Sequence, residues 1–146
     1  LPDTVNLLKD KLLKELRPGA RVLSHDYPLS GWIPEKYVQM DLEDKVKISG
    51  VTTTLIYLYV VPAKVAGRWS ASGPGGAMRL DLKQQITRVS GTAHAGGRQR
   101  ALEDVKLRGE RLSFRLEGKT YSGRVNGAAI EGEIEGGGAW RAQRAK

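Results

Sequence analysis

The chain has 146 residues, enough for one domain or two small ones, and its lack of cysteine excludes a disulfide framework and a thiolate metal site. Its 24 Lys and Arg outnumber 16 Asp and Glu to give a net charge of +8, and the excess lies late: residues 1–68 carry 10 basic against 8 acidic side chains, residues 69–146 carry 14 against 8. No apolar run approaches the roughly 20 residues that span a bilayer, and no basic start with an apolar core marks a secretory leader, so a cytoplasmic location is expected.

In chain order, Asp3 or Thr4 is the expected N-cap of a helix running to about Arg17. Val5, Leu8, Leu12 and Leu16 recur at three- and four-residue steps and define its apolar face, with Lys9, Lys14 and Glu15 elsewhere. Pro18 and Gly19 stop it, because proline cannot continue the ladder and glycine accepts a left-handed cap. Residues 21–26 read as a strand in which adjacent Val22 and Leu23 imply cover on both faces, as in a parallel sheet. Helix, turn and strand then make half of a βαβ unit. Breakers at Pro28, Gly31 and Pro34 require an irregular loop, which Trp32 either packs down or lines for a substrate. Residues 37–42 and 52–61 are two strand candidates, and the short charged connection between them predicts an antiparallel hairpin.

From about residue 67 the texture changes to short alternating strands separated by glycine turns, so the expected domains are 1–66 and 67–146. Met78, Leu80 and Leu82 alternate with Arg79, Asp81 and Lys83, and a bend is expected at Gln84 and Gln85. Leu112, Phe114 and Leu116 alternate with Arg111, Ser113 and Arg115. Asn126-Gly127 predicts a type I′ hairpin turn. Seven or eight such strands predict an antiparallel meander closing into a small barrel or sandwich, with Gly91, Gly123 and Gly132 permitting its coiling. Trp69 and Trp140 are expected in its core near the closure, and Leu112, Phe114, Ile130 and Ile134 are expected to fill the interior. Arg79, Arg111, Arg115 and Arg124 fall on the outer register, and without stacking aromatics among them nucleic acid is a disfavoured partner.

His25 and Asp26 end a strand of the kind whose carboxyl terminus carries sites in open α/β sheets. They are candidate catalytic residues, a base and an acceptor for a substrate ammonium, or else a loop-capping pair. His94, beside Gly96-Gly97, reads as an exposed turn residue. Neither a metal site nor a Ser-His-Asp set is indicated. Glycines 73, 75 and 76 follow no buried parallel strand and precede no helix, so they fail as a nucleotide-binding turn.

Leu1-Pro2, Asn6, KLLKELRPGARVLSHD at 11–26, GWIP at 31–34 and LIYLY at 55–59 together resemble the C-terminal part of a class I S-adenosylmethionine-dependent methyltransferase, in particular the small protein-lysine methyltransferases. The resemblance covers about the first 69 residues. It implies an α+β fold: the C-terminal remnant of a Rossmann-like sheet (helix, strand, antiparallel hairpin) followed by the β meander or barrel. It further implies that Leu1, Pro2, Asn6 and Trp32 lie on the substrate side, and that the cofactor-binding glycine turn and ribose-binding acid are not in this stretch. The chain alone is therefore expected to be a fragment, inactive and without S-adenosylmethionine. A protein lysine is the expected substrate, and the missing half or a second copy is expected at the open strand edge. The alternative is a non-catalytic β-barrel module that binds a small ligand or a protein.

Overall fold

The computed structural model describes residues 2–41 and 53–145. The chain divides into two compact units, Leu1–Val61 and Pro62–Lys146.

The first unit contains helix α1 (Pro2–Glu15) and strands β1 (Arg21–His25), β2 (Lys36–Asp41) and β3 (Thr53–Val60). Pro2 opens the helix, where its missing N–H costs nothing, so Asp3 and Thr4 lie inside the first turn rather than capping it. The half-buried helix positions are Val5, Asn6, Lys9, Leu12 and Leu13, and Leu8 and Leu16 are exposed. The apolar face is thus rotated from the expected one, and Lys9 is drawn in as its Nζ donates to the Ser30 carbonyl at 2.8 Å. After the helix, Gly19 at φ +90° turns the chain, and its N–H donates to the Val61 carbonyl. This starts the β1–β3 pairing, which runs from Arg21 opposite Val60 to His25 opposite Ile56.

The sheet order is β1-β3-β2 and both pairings are antiparallel, so β2 and β3 pair as the hairpin expectation had it. The connection at 42–52 lies outside the described residues. The Rossmann-like α/β remnant is overturned. Among the described residues there is one helix, every strand pair is antiparallel, and strands dominate both units. β1 is not sandwiched between two covering layers either, because Leu23 is 70% exposed. Adjacent Val22 and Leu23 point to opposite faces of one sheet, and along β1 only the Val22 side is partly covered.

The second unit is a nine-stranded antiparallel sheet. Its strands are β4 (Gly67–Gly73), β5 (Gly76–Gln85), β6 (Arg88–Ala95), β7 (Arg98–Ala101), β8 (Glu103–Arg108), β9 (Arg111–Leu116), β10 (Lys119–Asn126), β11 (Ala129–Ile134) and β12 (Gly138–Arg144). Two meanders, β4 to β7 and β8 to β12, join where β4 pairs with β12, giving the order β7-β6-β5-β4-β12-β11-β10-β9-β8. The sheet curls until β6 approaches β8, and the Leu102 N–H donates to the Gly91 carbonyl at 2.9 Å. The result is a nearly closed barrel.

Its interior is filled by Trp69, Leu80, Leu112, Phe114, Ile130 and Trp140, all at most 3% exposed. Phe114 stacks on Tyr121 and meets Trp140 edge-on at centroid distances of 5.1 and 5.6 Å. Trp69 and Trp140 sit on β4 and β12, the pair of strands that joins the two meanders, and the indole N–H groups donate to Val65 and Ser122 carbonyls. Gly132 permits the curl, since a Cβ there would stand 1.8 Å from the Ser122 carbonyl oxygen.

Two turns differ from expectation. β5 runs on through Gln84 and Gln85 and reverses at Ile86-Thr87, because Gln84 is held flat by bonds to the backbone of Ala63, Val65 and Ile86. At β10–β11 the central residues are Gly127 and Ala128, one position later than expected. Only Gly127 has positive φ, so the turn has the glycine-first pattern of type II′.

Candidate functional site

Alternation along β1 and β3 places His25 and Thr54 on one face of the three-stranded sheet, since His25 pairs with Ile56 two residues from Thr54. Thr54 is a buried polar side chain, 3% exposed. Its hydroxyl donates to Asp26 Oδ1 at 3.1 Å, and the same oxygen accepts the Leu55 N–H at 2.8 Å. The Asp26 N–H in turn donates to the Leu55 carbonyl at 2.7 Å, with Asp26 held at φ +62°. His25 Nε2 contacts Thr54 Oγ1 and lies 3.4 Å from Asp26 Oδ2. His25 Nε2 thus faces both the Thr54 hydroxyl and the Asp26 carboxylate.

The arrangement ties the end of β1 to the start of β3. It serves the loop-capping role directly: Asp26 satisfies backbone and hydroxyl donors that would otherwise be orphaned. It also leaves a half-exposed imidazole beside a carboxylate, the minimum for moving a proton at the surface.

Trp32 is placed elsewhere. It is 3% exposed and packs on Tyr59 at a centroid distance of 4.9 Å. Tyr59 and Tyr57 occupy the register opposite to Thr54, so Trp32, Tyr59, Tyr57 and Tyr37 form an aromatic ladder on the other sheet face. The Tyr59 hydroxyl accepts the Leu29 N–H at 2.8 Å, which pins the loop, and burial pushes the phenol pKa up despite that bond. Asn6 is half-buried on α1, Pro2 opens that helix, and Leu1 lies outside the described residues. The structure thus brings His25 and Asp26 together through Thr54 and sets Trp32 on the opposite face. Sequence reasoning missed Thr54. The only signal was its inward register in the run of threonines at 52–54.

A second polar cluster lies on the barrel. Asp81 on β5 is flanked by Arg68 at 3.3 Å, Arg79 at 3.3 Å and His94 Nε2 at 3.0 Å. Partial desolvation pushes its carboxyl up, but Arg79, Arg68 and His94 together outweigh that and hold it below the ordinary carboxylate range. His94 is the penultimate residue of β6, opposite Arg79, and lies just before the turn expected for it rather than in it. Among the described residues no group of three or more metal-ligating side chains converges, and no helix is long and apolar enough to cross a membrane.

Among the described residues, the glycine-bearing turns at 74–75, 96–97, 127–128 and 135–137 all join antiparallel strands, and none leads into a helix whose N–H groups could face a ligand. The Asp26 carboxylate, the acid nearest the expected site, is engaged by Thr54 and Leu55.

No protein-family model matches the chain, and no solved structure matches it. A protein-lysine N-methyltransferase of Saccharolobus islandicus (strain REY15A) is 36% identical over 61 residues, which are 42% of this chain and 34% of that protein. The chain therefore spans about a third of the length of the curated relative it matches. That similarity relates one stretch of the chain to a methyltransferase.

Proposed function

We propose that residues 1–66 are a methyltransferase-related region that takes part in methyl transfer from S-adenosylmethionine to a protein lysine only when cofactor-binding elements absent from this stretch are supplied. Residues 67–146, in this reading, form an appended β module that binds substrate or partner. The observation that carries the proposal is the 36% identity to a protein-lysine N-methyltransferase.

Methyl transfer from a sulfonium is an in-line displacement whose rate gain comes mostly from positioning a deprotonated amine against the methyl carbon. A region without a cofactor holder supplies at most the acceptor side of that geometry. In this reading His25 is the base that takes a proton from the incoming ammonium, and Asp26 is the carboxylate that accepts its hydrogen bonds; their contact through Thr54 supports treating them as one site. Leu1, Pro2 and Asn6 are the proposed substrate-side residues, and Trp32, buried against Tyr59 on the opposite face, takes the loop-packing role instead. The outer edge of β1 is the proposed place where a further strand, from a completing half or a second copy, would pair.

The test is a calorimetric titration of the 146-residue chain with S-adenosylmethionine, followed by a methylation assay on lysine-containing polypeptides. No binding up to millimolar cofactor is expected. Micromolar affinity or turnover by this chain alone would overturn the proposal.

A further inference from the structure

The charge of the molecule is divided as sharply as its fold. The unit Leu1–Val61 carries 8 Lys and Arg against 8 Asp and Glu, whereas Pro62–Lys146 carries 16 against 8, so the whole excess of +8 belongs to the barrel. Part of it is concentrated in one place by strand register. Arg108 on β8 pairs with Arg111 on β9, which pairs with Arg124 on β10, giving three arginines side by side on the outer face. Like charges directly opposite across strands repel unless neighbouring acids offset them. Acids offset the row at its β10 end, where Glu110 lies 3.2 Å from Arg124 and Glu131 stands directly opposite Arg124 on β11.

The next outer row contains Lys106, Ser113 and Ser122 in register. Between the two rows runs an open groove of about 500 Å³ whose lining includes Lys106, Arg111, Ser113, Ser122 and Arg124. Its floor is backbone, since Leu112, Gly123 and Gly132, in register between the two outer rows, belong to the inward-facing row. The basic stretch covers three strands, about 10 Å at the usual strand spacing. It ends at Glu131 and Glu133 on β11, which line the same groove.

We propose that this groove is a docking site for an acidic polypeptide segment, two or three neighbouring carboxylates being held by Lys106, Arg108, Arg111 and Arg124 with Ser113 and Ser122 as hydroxyl donors. Arginine presents paired donors that match carboxylate geometry, and two serines supply neutral donors where a further cation would only add repulsion. Charge selects the sign of the partner, and the layout selects its class. A nucleic-acid strand would extend past three strands of sheet into the repelling Glu131 and Glu133. It would also find no base-stacking platform, since Phe114, Trp69 and Trp140 are buried. A short acidic segment fits within the basic stretch. The inference goes beyond the methyltransferase reading and stands whether or not that reading holds.

The experiment uses the full chain and a fluorescein-labelled decapeptide of alternating Asp-Glu pairs and Gly-Ser, with its Asn-Gln counterpart and a 12-base-pair DNA duplex as competitors, read by anisotropy at 50 and 150 mM salt. The acidic peptide is expected to bind and to weaken with salt, and the amide peptide is expected not to bind. The double variant Arg111→Ser with Arg124→Ser should weaken binding at least tenfold. Arg88→Ser with Arg98→Ser, which removes the same charge from β6 and β7, should leave it within twofold. Ser122→Glu, which puts a carboxylate in the groove without removing an arginine, should reproduce the loss, and circular dichroism shows which variants remain folded. Equal losses from both double variants would mean diffuse charge and overturn the proposal. So would retained affinity in Ser122→Glu, or a duplex that binds more tightly than the peptide.

Discussion

Asp81 sits where four strand-borne polar side chains meet, and its titration is the most direct solution readout of the barrel surface. Its carboxyl is held below the 3.8 of an unperturbed Asp by Arg79, Arg68 and His94 against an opposing desolvation. The stability it contributes is therefore present above that value and is lost as pH falls through the lower, folded pKa. Asp81→Asn is expected to unfold at lower temperature than the parent at pH 6, with the gap nearly constant down to about pH 4 and closing below it. Melting curves across that range check it. High salt should also narrow the gap, because the partners are partly exposed. None of this is readable from the sequence, where Asp81 is one outward residue among several and His94 reads as a turn residue. Lateral neighbours in a sheet are set by register, which local sequence leaves open.

Among the elements, β10 and β11 show most clearly how much a glycine can decide. Gly123 and Gly132 pair directly, and an added Cβ at Gly132 would fall 1.8 Å from the Ser122 carbonyl oxygen and 2.5 Å from the Gly123 Cα. Nothing there can yield except backbone. Gly132→Ala is expected to destabilise the barrel by about 3 kcal/mol or more, or to prevent folding, at or beyond the upper end of overpacking costs. Gly96→Ala meets no atom within 4 Å and suffers only its φ of +56°, so about 1 kcal/mol is expected. Denaturant titration of the two variants separates them. Strand alternation and these kinking glycines were legible in the sequence because side-chain period and missing Cβ atoms are local facts. The helix face and the company of β1 were not. Lys9 turned inward for a carbonyl at Ser30, and nothing in RVLSH says whether its neighbour runs parallel or antiparallel.

At the scale of the molecule, two units of different character share one chain. The first exposes Leu7, Leu8, Leu23, Tyr27, Ile33 and Tyr37 by more than half each, whereas the second keeps its large apolar side chains inside. A chain of residues 62–146 is expected to fold alone, with near-ultraviolet dichroism from Trp69 and Trp140 lost in one cooperative transition. Residues 1–61 alone are expected to associate or aggregate, which sedimentation would report. The meander was foreseeable from strand spacing, and the closed interior from Leu112, Phe114, Ile130 and Ile134. The candidate site was foreseeable only as a pair, His25 and Asp26. Its buried link through Thr54 depends on a strand that arrives from far along the chain.

The pairing of β4 with β12 carries one more consequence. The Ala145 N–H donates to the Arg68 carbonyl, so the barrel's chain enters and leaves at neighbouring points. A short linker could splice those two points together, and new ends could be cut at the Gly96-Gly97 turn, without altering any strand pair. Such a circular permutant would present the same surface in a different chain order. By the same logic, this unit can be spliced into a surface loop of another protein without prising its host apart.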